Sequence, residues 1–168
     1  MTIAPDPPVL TAPAAVETAV ADVTSLLPPR EAVLDRLADQ LPTVDAAPAS
    51  LVVVGLLRRD DGWPTPRPAL DQVTSLLARS VRGDDWLASS GPAEFVLVLS
   101  GPVGGAETAA ARLVAAIADL RLDGLSASAG VAPLDVGLTA AEVLRRATLS
   151  LTAARRVGAG TVIRYREP

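Results

Sequence analysis

Seven consecutive apolar residues, Leu51-Val52-Val53-Val54-Gly55-Leu56-Leu57, constrain this chain more than any other feature. The run is rich in β-branched side chains, short, and bounded by a Pro/Ala-rich loop before it and charged residues after it. Those properties favour a buried strand. The elements that cover it are also legible. Val33, Leu34, Leu37 and Leu41 recur at helical spacing after the Pro28-Pro29 break, and Leu70, Val73, Leu77 and Val81 mark a helix from about Pro68 to Arg82. Ala110, Leu113, Val114, Ile117 and Leu120 mark another. Thr139-Ala140-Ala141-Glu142 has the form of a capping box, in which Thr bonds the third amide and Glu reaches back. The helix it opens carries Val143, Leu144, Ala147 and Leu151 and ends at Gly158.

Between these helices lie further strands. Trp86-Leu87-Ala88-Ser89 and Phe95-Val96-Leu97-Val98-Leu99 flank Gly91-Pro92, where a tight turn is expected. Ser126 to Ala132 and Thr161 to Tyr165 read as two more. A short first helix is expected from Val16 towards Val23. The order predicts an α/β (α+β) domain with a central mixed, largely antiparallel sheet flanked by helices, related to the ferredoxin-like arrangement. Residues 1–15 read as a disordered Pro/Ala-rich tail, and residues 16–168 as a single domain.

Composition narrows the chemistry. With 2% aromatic residues, the core is built from Val, Leu, Ile and Ala. The net charge of -4 gives no basic footprint for nucleic acid. All 15 basic residues are Arg, and the chain has no Lys, Cys, His or Asn. A Cys/His zinc centre and a Ser-His or Cys-His pair are therefore excluded. No targeting signal or membrane-spanning run is apparent, so a cytoplasmic protein without a membrane partner is expected.

Four collinear segments carry a resemblance to a known family. Gly91-Pro92-Ala93-Glu94-Phe95 stands where the bacterial GGDEF domain, which makes cyclic di-GMP, has its signature. Asp22 to Arg30 resembles the family's opening D-x-L-T-G-L-P-N-R segment. Leu125 to Ala132 is similar to its L-T-A-S-I-G-V-A strand. Ala147 to Val162 is similar to its closing segment, with Ala147, Leu151, Ala154, Arg155, Gly158 and Val162 in register. The resemblance spans about Val16 to Tyr165 and implies the nucleotidyl cyclase-like fold.

The departures from the family decide what the resemblance implies for function. Active members condense two GTP molecules and draw metal-binding carboxylates from the end of the first strand and from the third signature residue. Here the third residue is Ala93, and the first-strand position falls near Gly55 to Leu57, which hold no carboxylate. Pro92 replaces a glycine that lets backbone approach phosphate and removes an amide. The guanine-reading Asn has no counterpart, and the guanine-reading Asp aligns with Arg67. Glu94 reads as a polar strand residue on the solvent face. Arg155, at the position of a phosphate-contacting Lys, reads as a solvated helix-end side chain. A degenerate, catalytically inactive domain is implied, with no catalytic residues, bound metal or cofactor.

One element of the family is retained. Arg82-Gly83-Asp84-Asp85 matches its R-x-x-D inhibitory site, five residues before the signature, where relatives bind cyclic di-GMP. Arg offers a planar fork to a guanine edge or a phosphate. A carboxylate accepts from guanine N1 and N2. On this reading Arg82 and Asp85 bind ligand from one exposed edge, both side chains turned to solvent. The competing explanation is that Arg and Asp at a helix-to-strand turn serve solubility and local hydrogen bonding. Three functions remain open: a cyclic di-GMP-binding domain in signalling, an interaction or homodimerisation domain with a protein partner, and an enzyme with a metal site rebuilt from Asp60, Asp61 and Glu94. Trp63, in a Pro-rich loop, is expected to be exposed, where a Trp could serve as a partner contact.

Overall fold

In a computed structural model, residues 26–59 and 64–167 are described. The expected helix at Val16–Val23, the tail, Asp60, Asp61 and Trp63 lie outside them. The elements are α1 (Arg30–Gln40), a 3-10 turn (Leu41–Thr43), β1 (Ala49–Arg58), α2 (Arg67–Ser80), β2 (Trp86–Gly91), β3 (Glu94–Ser100), α3 (Val103–Asp119), β4 (Leu125–Pro133), α4 (Ala140–Val157) and β5 (Val162–Arg164). The sheet order is β2-β3-β1-β4-β5. The apolar run is the middle strand. β1 pairs antiparallel with β3 on one side and β4 on the other, and only β5 joins in parallel. The mixed, largely antiparallel sheet expected from the sequence is present.

Helices cover both faces because β1 is apolar on both. Val52, Val54 and Leu56 meet Val73 and Leu77 of α2 and Leu113, Val114 and Ile117 of α3. Leu51 and Val53 meet Val33 and Leu37 of α1 and Val143, Leu144 and Leu151 of α4. Trp86 is half-buried against this second core. α4 lies unusually close to the sheet. A Cβ built at Gly130 would run into the backbone of Ala147 and Leu151, with Leu151 Cα at 2.9 Å. Only glycine fits there, because a helix backbone cannot swing aside as a side chain does.

Two local readings shift. The hairpin is real, but Gly91 completes β2 and the turn is Pro92-Ala93 rather than Gly91-Pro92. A register irregularity between Ser89 and Gly91 inserts the extra residue that moves the tip. At α4, the Thr139 hydroxyl accepts from the Glu142 amide at 3.2 Å, and Gly158, at φ 138°, ends the helix. Glu142 does not reach back. Its carboxylate binds Arg145 at 2.7 Å and Arg146 at 2.9 Å instead, since two guanidiniums one turn away are stronger partners than one amide. Arg146 also pairs with Glu167 at 2.7 Å and lies 4.9 Å from the Tyr165 ring centre, which ties the segment after β5 to α4.

Two measurements check this packing. Gly130→Ala should destabilise the domain by about 1–3 kcal/mol or more in chemical denaturation, the range for overpacking against an unyielding neighbour. The second concerns acid. The Arg145 hydrogen bond, then that of Arg146, lowers the Glu142 pKa from 4.5 to about 2. A folded pKa below the unfolded one means the contribution is present above 4.5 and is lost as pH falls towards 2. Glu142→Gln should therefore be less stable than wild type at neutral pH, and the two should converge near pH 2.

Candidate functional site

Two places on the β2–β3 hairpin bring the singled-out residues together. At the tip, the Ala93 carbonyl accepts from the Leu56 amide at 2.9 Å, which draws the turn against the end of β1. Register then sets Glu94 beside Gly55 and Gly55 beside Ser128, in a row facing α4. Arg155, from the last turn of α4, reaches over this row and pairs with Glu94 at 2.9 Å. Both side chains are about one third exposed, 30% and 28%. Arg155 is thus not the solvated helix-end residue expected, and Glu94 is not a free solvent-face carboxylate. The Ser128 hydroxyl donates to the Gly158 carbonyl at 3.1 Å and closes the row at the end of the helix.

These residues do not fit a divalent metal. Gly55, Leu56, Leu57 and Ala93 offer no side-chain oxygen, and the one carboxylate present is committed to a guanidinium. Among the described residues no group of three or more acidic side chains is placed to share an ion. Hard cations need several oxygen ligands, and one paired carboxylate falls short of that.

At the base of the hairpin, α2 ends and the chain turns through Arg82–Asp85 into β2. The Asp85 amide donates to the Arg82 carbonyl at 3.1 Å. The Asp85 carboxylate accepts from the Arg82 amide at 3.0 Å through Oδ2 and from the Ser100 amide at 3.1 Å through Oδ1. The Ser100 hydroxyl donates to the Asp84 carbonyl at 3.2 Å. Asp85 therefore fastens the turn to the end of β3, and it is half-buried rather than turned freely to solvent. Arg82 is exposed, and its guanidinium has no ion-pair partner among the described residues.

Arg82 and Asp85 border a pocket of about 510 Å³ between the end of α2, β3 and α3. Leu99 and Ser100 line one side of it. Ala109 and Arg112 of α3 line the other. Arg112 escaped the sequence reading. The signal was nonetheless there: Gly105, Ala109, Arg112 and Ala116 follow helical spacing, so small residues leave room around a single long cation. Two arginines and a carboxylate around one opening suit a ligand that carries both phosphate and a guanine-like edge.

The fold has clear relatives among solved structures. The GGDEF domain of DgcB from Caulobacter crescentus, in complex with c-di-GMP, superposes with a TM-score of 0.72 at 19% identity, over 84% of this chain and 92% of that one. The active GGEEF domain of a diguanylate cyclase from Vibrio cholerae gives 0.72 at 20% identity, over 84% and 99%. The GGDEF domain of FimX from Pseudomonas aeruginosa gives 0.71 at 24% identity, over 83% and 95%. The chain has the GGDEF-domain fold. No family model and no curated protein matches its sequence. Among the described residues no helix is long and apolar enough to cross a membrane.

The two acidic residues of the turn are separable by measurement. Asp85→Ala leaves two backbone amides without their acceptor and should cost about 1–3 kcal/mol in urea denaturation. Asp84→Ala, exposed and engaged only through its backbone, should stay within about 0.5 kcal/mol of wild type.

Proposed function

We propose that this chain is a GGDEF-like domain that binds cyclic di-GMP through Arg82, Asp85 and Arg112 and does not synthesise it. The observation that carries the reading is the Arg82 guanidinium, without an ion-pair partner among the described residues, beside a pocket that Arg112 also lines. An exposed guanidinium beside an open pocket can engage a ligand without first breaking an ion pair, at the cost of ordering its own side chain. Each arginine presents two parallel donors to phosphate oxygens or to guanine O6 and N7. The Asp85 oxygens keep a lone pair each beyond their backbone bonds, free to accept from guanine N1 and N2. Support also comes from the structural relative whose GGDEF domain is in complex with c-di-GMP.

The non-cyclase half of the reading rests on the other end of the hairpin. Phosphoryl transfer needs metal-held phosphates. Ala93 and the Gly55–Leu57 stretch supply no ligand, and Glu94 is held by Arg155. A place in signalling as a receptor or regulatory domain follows from binding without turnover.

Calorimetric titration with cyclic di-GMP, without added metal, tests the receptor. Micromolar or tighter binding is expected. Arg82→Ala and Arg112→Ala should each weaken it by about 1–3 kcal/mol, roughly 5- to 150-fold. No binding by the folded wild type would sink the receptor and leave an interaction or dimerisation domain as the better reading. Incubation with GTP and magnesium or manganese should give no cyclic di-GMP. Product in proportion to protein would overturn the non-cyclase half.

A further inference from the structure

The Arg155 side chain does more than pair with Glu94. Its guanidinium lies over Gly55. A Cβ built on Gly55 would run into the Arg155 guanidinium, with Cζ at 2.8 Å and Leu151 Cδ2 at 2.9 Å. Gly55 and Arg155 are thus matched in volume: the missing side chain on β1 is the space the guanidinium fills. They are matched in charge as well. Glu94 is the carboxylate of that row, and a half-buried carboxylate needs a counter-charge close by. Arg155 supplies it from within the chain.

We infer that Arg155 is a resident counter-ion that closes the tip of the hairpin to divalent metal, by neutralising Glu94 and by occupying the volume above Gly55. The inference rests on the non-cyclase half of the reading above and is independent of ligand binding at Arg82. Loss of metal binding at this tip is therefore more than missing ligands. An alternative cation is built in, and carboxylates restored on β1 and the turn meet a guanidinium already in place. Leu151 is the lesser obstacle, because its methyl is neutral, whereas the guanidinium repels a cation even where its flexible end shifts.

Two experiments on the full chain test this. In thermal unfolding, Gly55→Ala should lower the Tm of wild type, and most of that loss should vanish in the Arg155→Ala background, where the clash is gone. Equal losses in both backgrounds would overturn the volume match. In terbium titration, wild type and Gly55→Asp/Ala93→Asp should show no saturable binding, while Gly55→Asp/Ala93→Asp/Arg155→Ala should bind. Binding by wild type that weakens in Glu94→Gln would refute the closure, as would equal binding with and without Arg155. Failure of the triple variant to bind would show that the guanidinium is not what excludes the ion. If Gly55→Asp/Ala93→Asp does not fold by circular dichroism, the thermal comparison decides alone. Cyclic di-GMP titration of Arg155→Ala should match wild type, so failure at this site and failure of the receptor are told apart.

Discussion

Everything else in this domain is arranged around a strand with no exposed face and no free edge. β1 is hydrogen-bonded on both sides and buried above and below from Ala49 to Leu56. A run of Val and Leu can be accommodated in water only that way, because each exposed side chain would forfeit its transfer free energy. Two layers of helix must then be recruited. Ala and Val in β4, with Gly130 among them, let α4 settle against the sheet at backbone distance. Among the described residues Phe95 is the one aromatic ring fully buried in the core, so close approach of backbones fills space that rings fill elsewhere.

The hairpin β2–β3 carries two separate groups of polar side chains, Glu94 near its tip and the Arg82–Asp85 turn at its base. Its tip and its base are separated by the length of β2, roughly 20 Å for six residues. They also use opposite faces: Glu94 looks to α4, while the Arg82 pocket opens between β3 and α3. Among the described residues no hydrogen bond or ion pair joins Glu94 and Arg155 at the tip to Arg82 and Asp85 at the base. Additivity between distant sites is the thermodynamic statement of the same separation.

Local features were the legible ones. The β-branched run, the Thr139 cap, the Gly158 stop and the strand pair around Pro92 each depend on neighbours in sequence, and each appears where the pattern put it, to within a residue or two. The turn slipped by one residue because a bulge is decided by how β2 meets β3, not by turn propensity. The Arg155–Glu94 pair was hidden for a different reason. Its partners stand 61 residues apart, and each alone resembles an ordinary surface charge. Arg112 was hidden because α3 reads as a plain amphipathic helix until its small-residue stripe is seen to face the end of α2. Asp85 was found for its charge, but its attachment to the Ser100 amide joins the turn before β2 to a residue 15 positions on and has no trace in the local pattern.

That attachment changes what a comparison of related sequences can reveal. Asp85 satisfies two backbone amides whether or not anything occupies the pocket, so purifying selection for folding alone preserves it. Arg82 and Arg112 are exposed, and mutational drift would erase them at little cost to folding. In a lineage that had abandoned the ligand, the acidic half of the motif would outlive the basic half. In any set of related sequences the aspartate thus answers to folding first, and the two arginines are the positions that folding leaves free.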